Sequence, residues 1–110
     1  MTKKQFANKV IIITGSTQGI GAETAKLLAK RGAKGITICG RNEKNGKKIK
    51  EEIKNLGTEC IFVKADLSNL KHCEKIINKT DKKFGTINSL INSAAFTERG
   101  TILSTTPEDY

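Results

Sequence analysis

The sequence predicts a doubly wound α/β fold built around a parallel sheet. Short apolar runs alternate with longer amphipathic stretches along the chain, which is the pattern of repeated strand–helix–strand units. A glycine-rich segment follows the first apolar run, and a single glycine follows each amphipathic stretch, where helices commonly end. The 110 residues suffice for at most one domain, so we treat residues 1–110 as one continuous unit.

Two strand–helix pairs are predicted in the first half of the chain. Residues 9–14 read as a buried strand and residues 19–31 as a helix that stops before Gly32. Residues 35–39 form the second predicted strand, and residues 43–56 the second helix, which Gly57 closes. The apolar spacing predicts that the inner faces of these helices carry Ile20, Thr24, Leu27, Leu28, Ile49, Ile53 and Leu56.

The second half repeats the pattern and then stops at the start of a further helix. We expect a strand at 60–64, a helix at 69–84 and a strand at 87–92; the inner face of this helix would carry Leu70, Cys73, Ile76, Ile77 and Phe84. Strands joined by helical crossovers are mainly parallel, with helices on both faces of the sheet. Residues 106–109 are of the types that commonly begin a helix, yet the sequence ends at Tyr110. We therefore expect a truncated chain or a fragment.

Composition argues against several classes of function. The net charge is +9, but glutamates interleave with the lysines, aromatic residues make up 5%, and no nucleic-acid-binding motif occurs, so a solvated lysine-rich surface is the preferred interpretation. No apolar run approaches the ~20 residues of a membrane span. Three cysteines without a C-x-x-C pair suggest neither a disulfide framework nor a metal site, and favour a reducing, cytoplasmic compartment. The single histidine, His72, is predicted to lie on a helix surface.

The most informative motif is Thr14-Gly15-Ser16-Thr17-Gln18-Gly19-Ile20-Gly21, which connects the first predicted strand to the first predicted helix. Glycines there allow a tight turn and a close approach to a pyrophosphate, which free backbone N–H groups and the helix dipole bind. The spacing is neither G-x-G-x-x-G nor a P-loop. The strand before it and the helix after it favour dinucleotide binding by Gly15, Ser16, Thr17, Gln18, Gly19, Ile20 and Gly21.

This loop resembles that of the classical short-chain dehydrogenase/reductase family, written T-G-x-x-x-G-I-G, and the resemblance runs from about residue 9 to residue 110. It implies a Rossmann-type sheet, of which the chain would hold the first four strands in the order 3-2-1-4. It also implies hydride transfer between a nicotinamide cofactor and a carbonyl or alcohol substrate. We expect a homo-oligomer when the protein is complete, with no nucleic-acid or membrane partner.

Three further segments match this family. After the second strand, Gly40 occupies the position at which an acidic residue would bind the NAD ribose. The next residue, Arg41, helped by Asn42, could bind a 2′-phosphate. NADP(H) is therefore the expected cofactor, with NAD(H) or both as the alternative. The resemblance places Asp66 and Leu67 along the adenine, although Asp66 or Ser68 could instead cap the next helix. In the segment 92–95, Asn92 and Ala94 match the family's Asn-Asn-Ala-Gly and would lie beside the cofactor.

The family's catalytic residues are missing from this sequence. They are a serine, an asparagine and a Tyr-x-x-x-Lys pair, all beyond the fourth strand, whereas Tyr110 is the only tyrosine here and has no lysine four residues on. We therefore assign no catalytic residue and expect these 110 residues alone to be inactive. The alternative is a non-catalytic, truncated dinucleotide-binding half-domain. The substrate is not predicted.

Overall fold

Four parallel strands form one sheet with helices on both faces. The computed structural model describes residues 7–15 and 19–92. The strands pair in the order β3-β2-β1-β4, and every pairing is parallel. The predicted topology is thereby confirmed; the helix start predicted at 106–109 lies outside the described residues. The elements are β1 (Val10–Thr14), α1 (Gly19–Lys30), β2 (Gly35–Gly40), α2 (Glu43–Asn55), β3 (Glu59–Lys64), α3 (Leu70–Phe84) and β4 (Ser89–Asn92).

The central strand β1 divides the core into two layers. Its side chains alternate, so Ile11 and Ile13 face one layer and Ile12 the other. The first layer lies under α1 and α2 and includes Leu28 and Ile53. The second lies under α3, where the remaining buried residues are Cys39, Val63, Ala65 and Ile76. Burial on both faces explains why β1 is apolar without interruption rather than alternating.

Helix α1 packs through small residues, which corrects the predicted inner face. Its buried side consists of Gly21, Ala22, Ala25, Leu28 and Ala29. Ile20 and Leu27 are instead 55% and 50% exposed, so only Leu28 of the predicted set is buried. The isoleucines of β1 and β2 already fill the space between sheet and helix, and alanines let the helix approach them closely.

The inner faces of α2 and α3 also differ from prediction, because three of the apolar residues predicted there are exposed. Leu56, Leu70 and Ile77 are exposed; Leu56 is the C-cap beyond the last turn of α2, and Leu70 opens α3. In their place α2 buries Gly46, whose missing side chain makes room for the ring of Phe62. Helix α3 buries a polar residue, Thr80, which the apolar pattern could not indicate.

Two buried threonines join α3 to the sheet. Thr80 donates its hydroxyl hydrogen to the carbonyl of Ile76 at 2.8 Å, so Thr37 must be the donor in the 2.8 Å bond between the two hydroxyls. Both side chains are fully buried. Within the described ranges no helix is both long and apolar enough to span a bilayer.

Candidate functional site

The carboxyl ends of the four strands bring the predicted site residues to one edge of the sheet. Gly15 follows β1, Arg41 follows β2, Asp66 comes shortly after β3, and Asn92 ends β4. Parallel strands place these positions side by side, at the edge where open α/β sheets bind their ligands. Ser16, Thr17, Gln18 and Ala94, also predicted for this site, lie outside the described residues.

Two glycines stand on either side of residues 16–18, one directly after β1 and one at the start of α1. Gly15 and Gly19 both have left-handed conformations, with φ of 67° and 61°, which residues with a side chain rarely adopt. A Cβ atom built on Gly19 would meet no atom within 4 Å, so the backbone faces open space there. The first turn of α1 contains Gly19, Ile20 and Gly21 and no acidic residue. Its first N–H groups, which have no partner within the helix, and its positive dipole end are therefore suited to a phosphate.

The exposed side of α1 continues this open region. Ile20, Thr24 and Leu27 line a shallow groove with Gly19 and Glu23. The two large apolar residues that the sequence placed in the core thus form the wall of a groove that begins at the glycine turn. Ile20 was predicted both as a core residue and as a site residue, and its exposed position is compatible with the second role only.

At the end of β2, Asn42 has a structural task. It is the N-cap of α2, and its Oδ1 accepts a hydrogen bond from the backbone N–H of Asn45 at 2.9 Å. This leaves its side-chain amide nitrogen as the group that could donate to a phosphate. Arg41 is exposed beside it. Its positive charge is one of the influences that lower the pKa of Asp66, which places it within electrostatic reach of the β3 end.

The loop after β3 is held by Asp66. Its Oδ1 accepts from the backbone N–H of Ser68 at 3.0 Å and from the Ser68 hydroxyl at 2.8 Å. These two bonds are the main reason that the pKa of Asp66 is lowered, with smaller contributions from Arg41 and His72. The N-cap of α3 is Asn69, which accepts from Lys71 and His72. The capping alternative for Asp66 and Ser68 is therefore wrong, and the Oδ2 atom of Asp66 could accept from an adenine amine.

His72 contributes to this loop in a way that the sequence did not indicate. It is half-buried rather than a plain surface residue, and its Nδ1 accepts a 2.8 Å hydrogen bond from the backbone N–H of Asp66. The next residue, Cys73, donates its thiol hydrogen to the carbonyl of Leu67 at 3.5 Å. No local pattern could have predicted these contacts, because they depend on how α3 folds back against the end of β3.

Strand β4 is tied to β1 by an asparagine at each end. At the carboxyl end, the Thr14 hydroxyl donates to Oδ1 of Asn92 at 2.9 Å. At the other end, Val10 donates its N–H to Oδ1 of Asn88 at 2.7 Å, and Asn88 returns a backbone bond to the Val10 carbonyl. Asn92 thus fixes the register of the edge on which the site is built. Asn88 and Thr14 were not predicted in these roles.

Within residues 7–15 and 19–92 the acidic, histidine and cysteine side chains are dispersed, and two of the three cysteines are buried. No three histidine, cysteine or acidic side chains in this part of the chain converge as metal ligands. All three cysteines are free thiols. Burial raises the pKa of Cys39 and of Cys60 to about 12, which makes both unreactive near neutral pH.

A parallel sheet in this order, with left-handed glycines directly after β1 and at the start of α1, defines a Rossmann-type α/β protein. Comparison with known families gives the particular class: the short chain dehydrogenase family matches residues 9–110. The chain belongs to this family. It is 39% identical over 105 residues to an uncharacterized oxidoreductase of Thermotoga maritima.

Solved structures of related proteins show the same architecture. A hydroxysteroid dehydrogenase from Escherichia coli superposes with a TM-score of 0.77 at 26% identity, over 81% of this chain and 37% of that protein. An NADH-dependent reductase complexed with NAD superposes with a TM-score of 0.74, also at 26% identity, over 97% of this chain and 45% of that protein. The match to the Thermotoga maritima protein covers 96% of this chain but 41% of that relative. The chain thus spans less than half the length of these relatives.

Proposed function

We propose that this chain supplies the dinucleotide-binding half of an NAD(P)H-dependent oxidoreductase that transfers hydride to or from a carbonyl or alcohol substrate. One observation carries the proposal. Two left-handed glycines, Gly15 and Gly19, flank the connection between β1 and α1, and Gly19 faces open space. The Thermotoga maritima relative is named an oxidoreductase, which supports the reaction class. The NAD bound to the NADH-dependent reductase supports the cofactor class.

The residues at the carboxyl edge suit the parts of such a cofactor. The turn from Gly15 to Gly21, including Ser16, Thr17, Gln18 and Ile20, would bind the pyrophosphate. Asp66 and Leu67 would contact the adenine, and Asn92 and Ala94 would lie beside the cofactor. When bound, the nicotinamide supplies the hydride chemistry, and the chain supplies binding and orientation.

For the choice between the two nicotinamide cofactors, we propose a preference for NADP(H). Gly40 carries no side chain that could bind a ribose 2′-hydroxyl, and the next residue, Arg41, presents an exposed guanidinium. A guanidinium can bind a 2′-phosphate through two parallel hydrogen bonds. The side-chain nitrogen of Asn42 adds a donor that the α2 cap does not use.

We further propose that these 110 residues alone bind the cofactor without catalysing hydride transfer. The sequence contains one tyrosine, Tyr110, and no Tyr-x-x-x-Lys pair. An alkoxide that develops on the substrate would therefore have no general acid of the family's kind to protonate it. The second candidate, a dinucleotide-binding half-domain without catalysis, shares this binding site. The coding sequence downstream of Tyr110 separates the two, because an in-frame Tyr-x-x-x-Lys would favour the enzyme.

Cytoplasmic location and homo-oligomerisation of the complete protein remain part of the proposal, and the buried thiols support a reducing compartment.

The phosphate-binding turn can be tested with a pair of matched substitutions. Gly19→Val should abolish binding of NADPH, because the side chain would crowd the pyrophosphate and strain the left-handed backbone. Gly57→Val is the control: Gly57 also has a left-handed φ, 95°, and open surroundings, but it lies after α2 at the opposite edge of the sheet. Fluorescence titration of NADPH against both folded variants is the measurement. Equal affinities for the two would contradict the assignment.

A further inference from the structure

We propose that His72 is a positioning residue for the adenine-binding loop and that its neutral form is required, so that dinucleotide affinity falls when the imidazole is protonated. This inference rests on the proposed function, because it concerns the same cofactor site. It adds a residue and a pH dependence that neither the glycine turn nor the contact proposed for Asp66 predicts. The observation behind it is the 2.8 Å hydrogen bond between the Asp66 N–H and the Nδ1 atom of His72.

The first turn of α3 holds both residues of the Asp66–Leu67 pair by their backbones. His72 accepts a hydrogen bond from the N–H of Asp66, and Cys73 donates one to the carbonyl of Leu67. The carbonyl of Asp66 accepts from the N–H of Asn69 at 2.9 Å. With the side chain of Asp66 also bound to Ser68, the orientation of its carboxylate is fixed before any ligand arrives. Such preorganisation reduces the free-energy cost of ordering the loop on binding.

The hydrogen bond determines which form of His72 is present. A backbone N–H can only donate, so Nδ1 must be an unprotonated acceptor and the ring proton must lie on Nε2. Histidine changes its charge between about pH 5 and 8. Protonation places a hydrogen on Nδ1, and two donors then face each other across the former bond.

The charged groups around His72 determine what a protonated ring would meet in the loop. Asp66 in the loop is the acidic group on which both His72 and Arg41, at the end of β2, act electrostatically. Helix α3 adds two cations by sequence, Lys71 beside His72 and Lys75 one turn further. Of these groups only the carboxylate of Asp66 can accept a hydrogen bond from a protonated ring. A protonated ring that turned to this carboxylate would occupy the acceptor proposed for the adenine amine, so both the lost bond and the occupied acceptor lower affinity.

Two substitutions separate the acceptor from the charge. His72→Asn places an amide oxygen near the position of Nδ1 and does not titrate between pH 5 and 8. His72→Leu removes the acceptor at every pH. Lys75→Ala is the control for a general effect of charge on α3. Calorimetric titration of NADP⁺ at pH 8 and pH 5.5 is the measurement, made on the purified protein and each variant, with circular dichroism to confirm folding.

We expect the wild-type protein to lose about fivefold or more affinity relative to His72→Asn between pH 8 and pH 5.5, since a lost hydrogen bond of ~1 kcal/mol corresponds to this factor. Protonation of the ligand itself cancels in this ratio. His72→Leu should bind weakly at both pH values, and Lys75→Ala should follow the wild type. Parallel pH profiles for the wild type and His72→Asn would overturn the inference.

A second measurement needs no ligand. Exchange of the Asp66 amide hydrogen, followed by NMR and corrected for intrinsic rates, should lose protection at pH 5.5 in the wild type but not in His72→Asn. Equal protection in both proteins at both pH values would refute the role of His72. Failure of the wild type to bind NADP⁺ at pH 8 would instead contradict the proposed function and the claim about affinity. The amide exchange still decides whether His72 holds the loop.

Discussion

Arg41 is the single residue on which the proposed cofactor preference depends. In the family's pattern the position after the second strand is acidic when a ribose hydroxyl is bound, whereas here Gly40 is followed by an exposed guanidinium. The neighbouring acidic group, Asp66, is held by Ser68 and lies within the electrostatic influence of Arg41. An arginine in these surroundings is available to a phosphate without first breaking an ion pair recorded among the described residues.

Substitution Arg41→Ala should weaken binding of NADPH and barely change binding of NADH. A charge-assisted contact of about 1.5–3 kcal/mol corresponds to a loss of roughly 10- to 150-fold. The control is Lys44→Ala, which removes one exposed positive charge from the first turn of α2. Isothermal titration with both cofactors is the measurement. An equal loss for NADPH and NADH would show that Arg41 does not read the 2′-phosphate.

The Thr37–Thr80 pair shows how one polar contact fixes an element. Replacing Thr80 by Val leaves the buried hydroxyl of Thr37 without its acceptor and should lower the free energy of unfolding by about 1–3 kcal/mol. In the double variant Thr37→Val, Thr80→Val no buried hydroxyl of the pair is left unpaired. Its loss should therefore be smaller than the sum of the two single losses. Urea unfolding of the purified protein measures this, and strict additivity would contradict the coupling.

Helix α2 packs on the sheet through a residue that has no side chain. By helix propensity, Gly46→Ala should stabilise the protein by up to about 1 kcal/mol. The added Cβ would, however, lie well inside the van der Waals contact distance of the Phe62 ring. We expect overpacking to dominate, with a net loss of about 1–3 kcal/mol in the free energy of unfolding. In a Phe62→Leu background the same substitution should cost less. Stabilisation by Gly46→Ala in the wild type would contradict this packing.

The sequence predicted the elements well and their buried faces less well. Runs such as residues 10–13 and the glycines after each helix are local, so the strands and the helix ends followed from them, whereas the order 3-2-1-4 was what the family resemblance implied. The faces depend on partners elsewhere in the chain. Periodicity alone favoured the larger residues Ile20 and Leu27 of α1, but the face of α1 that packs on the sheet consists of small residues and Leu28.

The same distinction applies to the site. The glycine turn and the residues after each strand could be proposed because the carboxyl ends of parallel strands meet at one edge. The contact of His72 with Asp66 could not, because it joins residues on either side of the α3 cap. Asn88 was missed for a similar reason, since its side chain pairs with Val10, which is distant in sequence.

At the scale of the whole molecule, β4 is the one of the two edge strands of the described sheet that we expect to promote self-association. Among the described residues β4 pairs with β1 and with no other strand, and Leu90 on it is exposed. Unpaired strand edges with apolar side chains are templates for self-association. These 110 residues expressed alone should therefore form dimers or aggregates and should not oxidise NADPH with ketones. A monomer in size-exclusion chromatography with enzyme-like turnover would contradict both expectations.

The central claim, a dinucleotide site at the carboxyl edge of the sheet, is tested most directly by NMR titration with NADP⁺ of the isotope-labelled protein in the soluble, folded fraction that size-exclusion chromatography isolates. We predict that backbone amide shifts will change at Gly15, Gly19, Arg41, Asp66 and Asn92, which share that edge. We predict no change at three glycines that follow the helices at the opposite edge: Gly32, Gly57 and Gly85. Saturable changes confined to the carboxyl edge would support the claim. No change at saturating NADP⁺, or changes centred on the opposite edge, would contradict it.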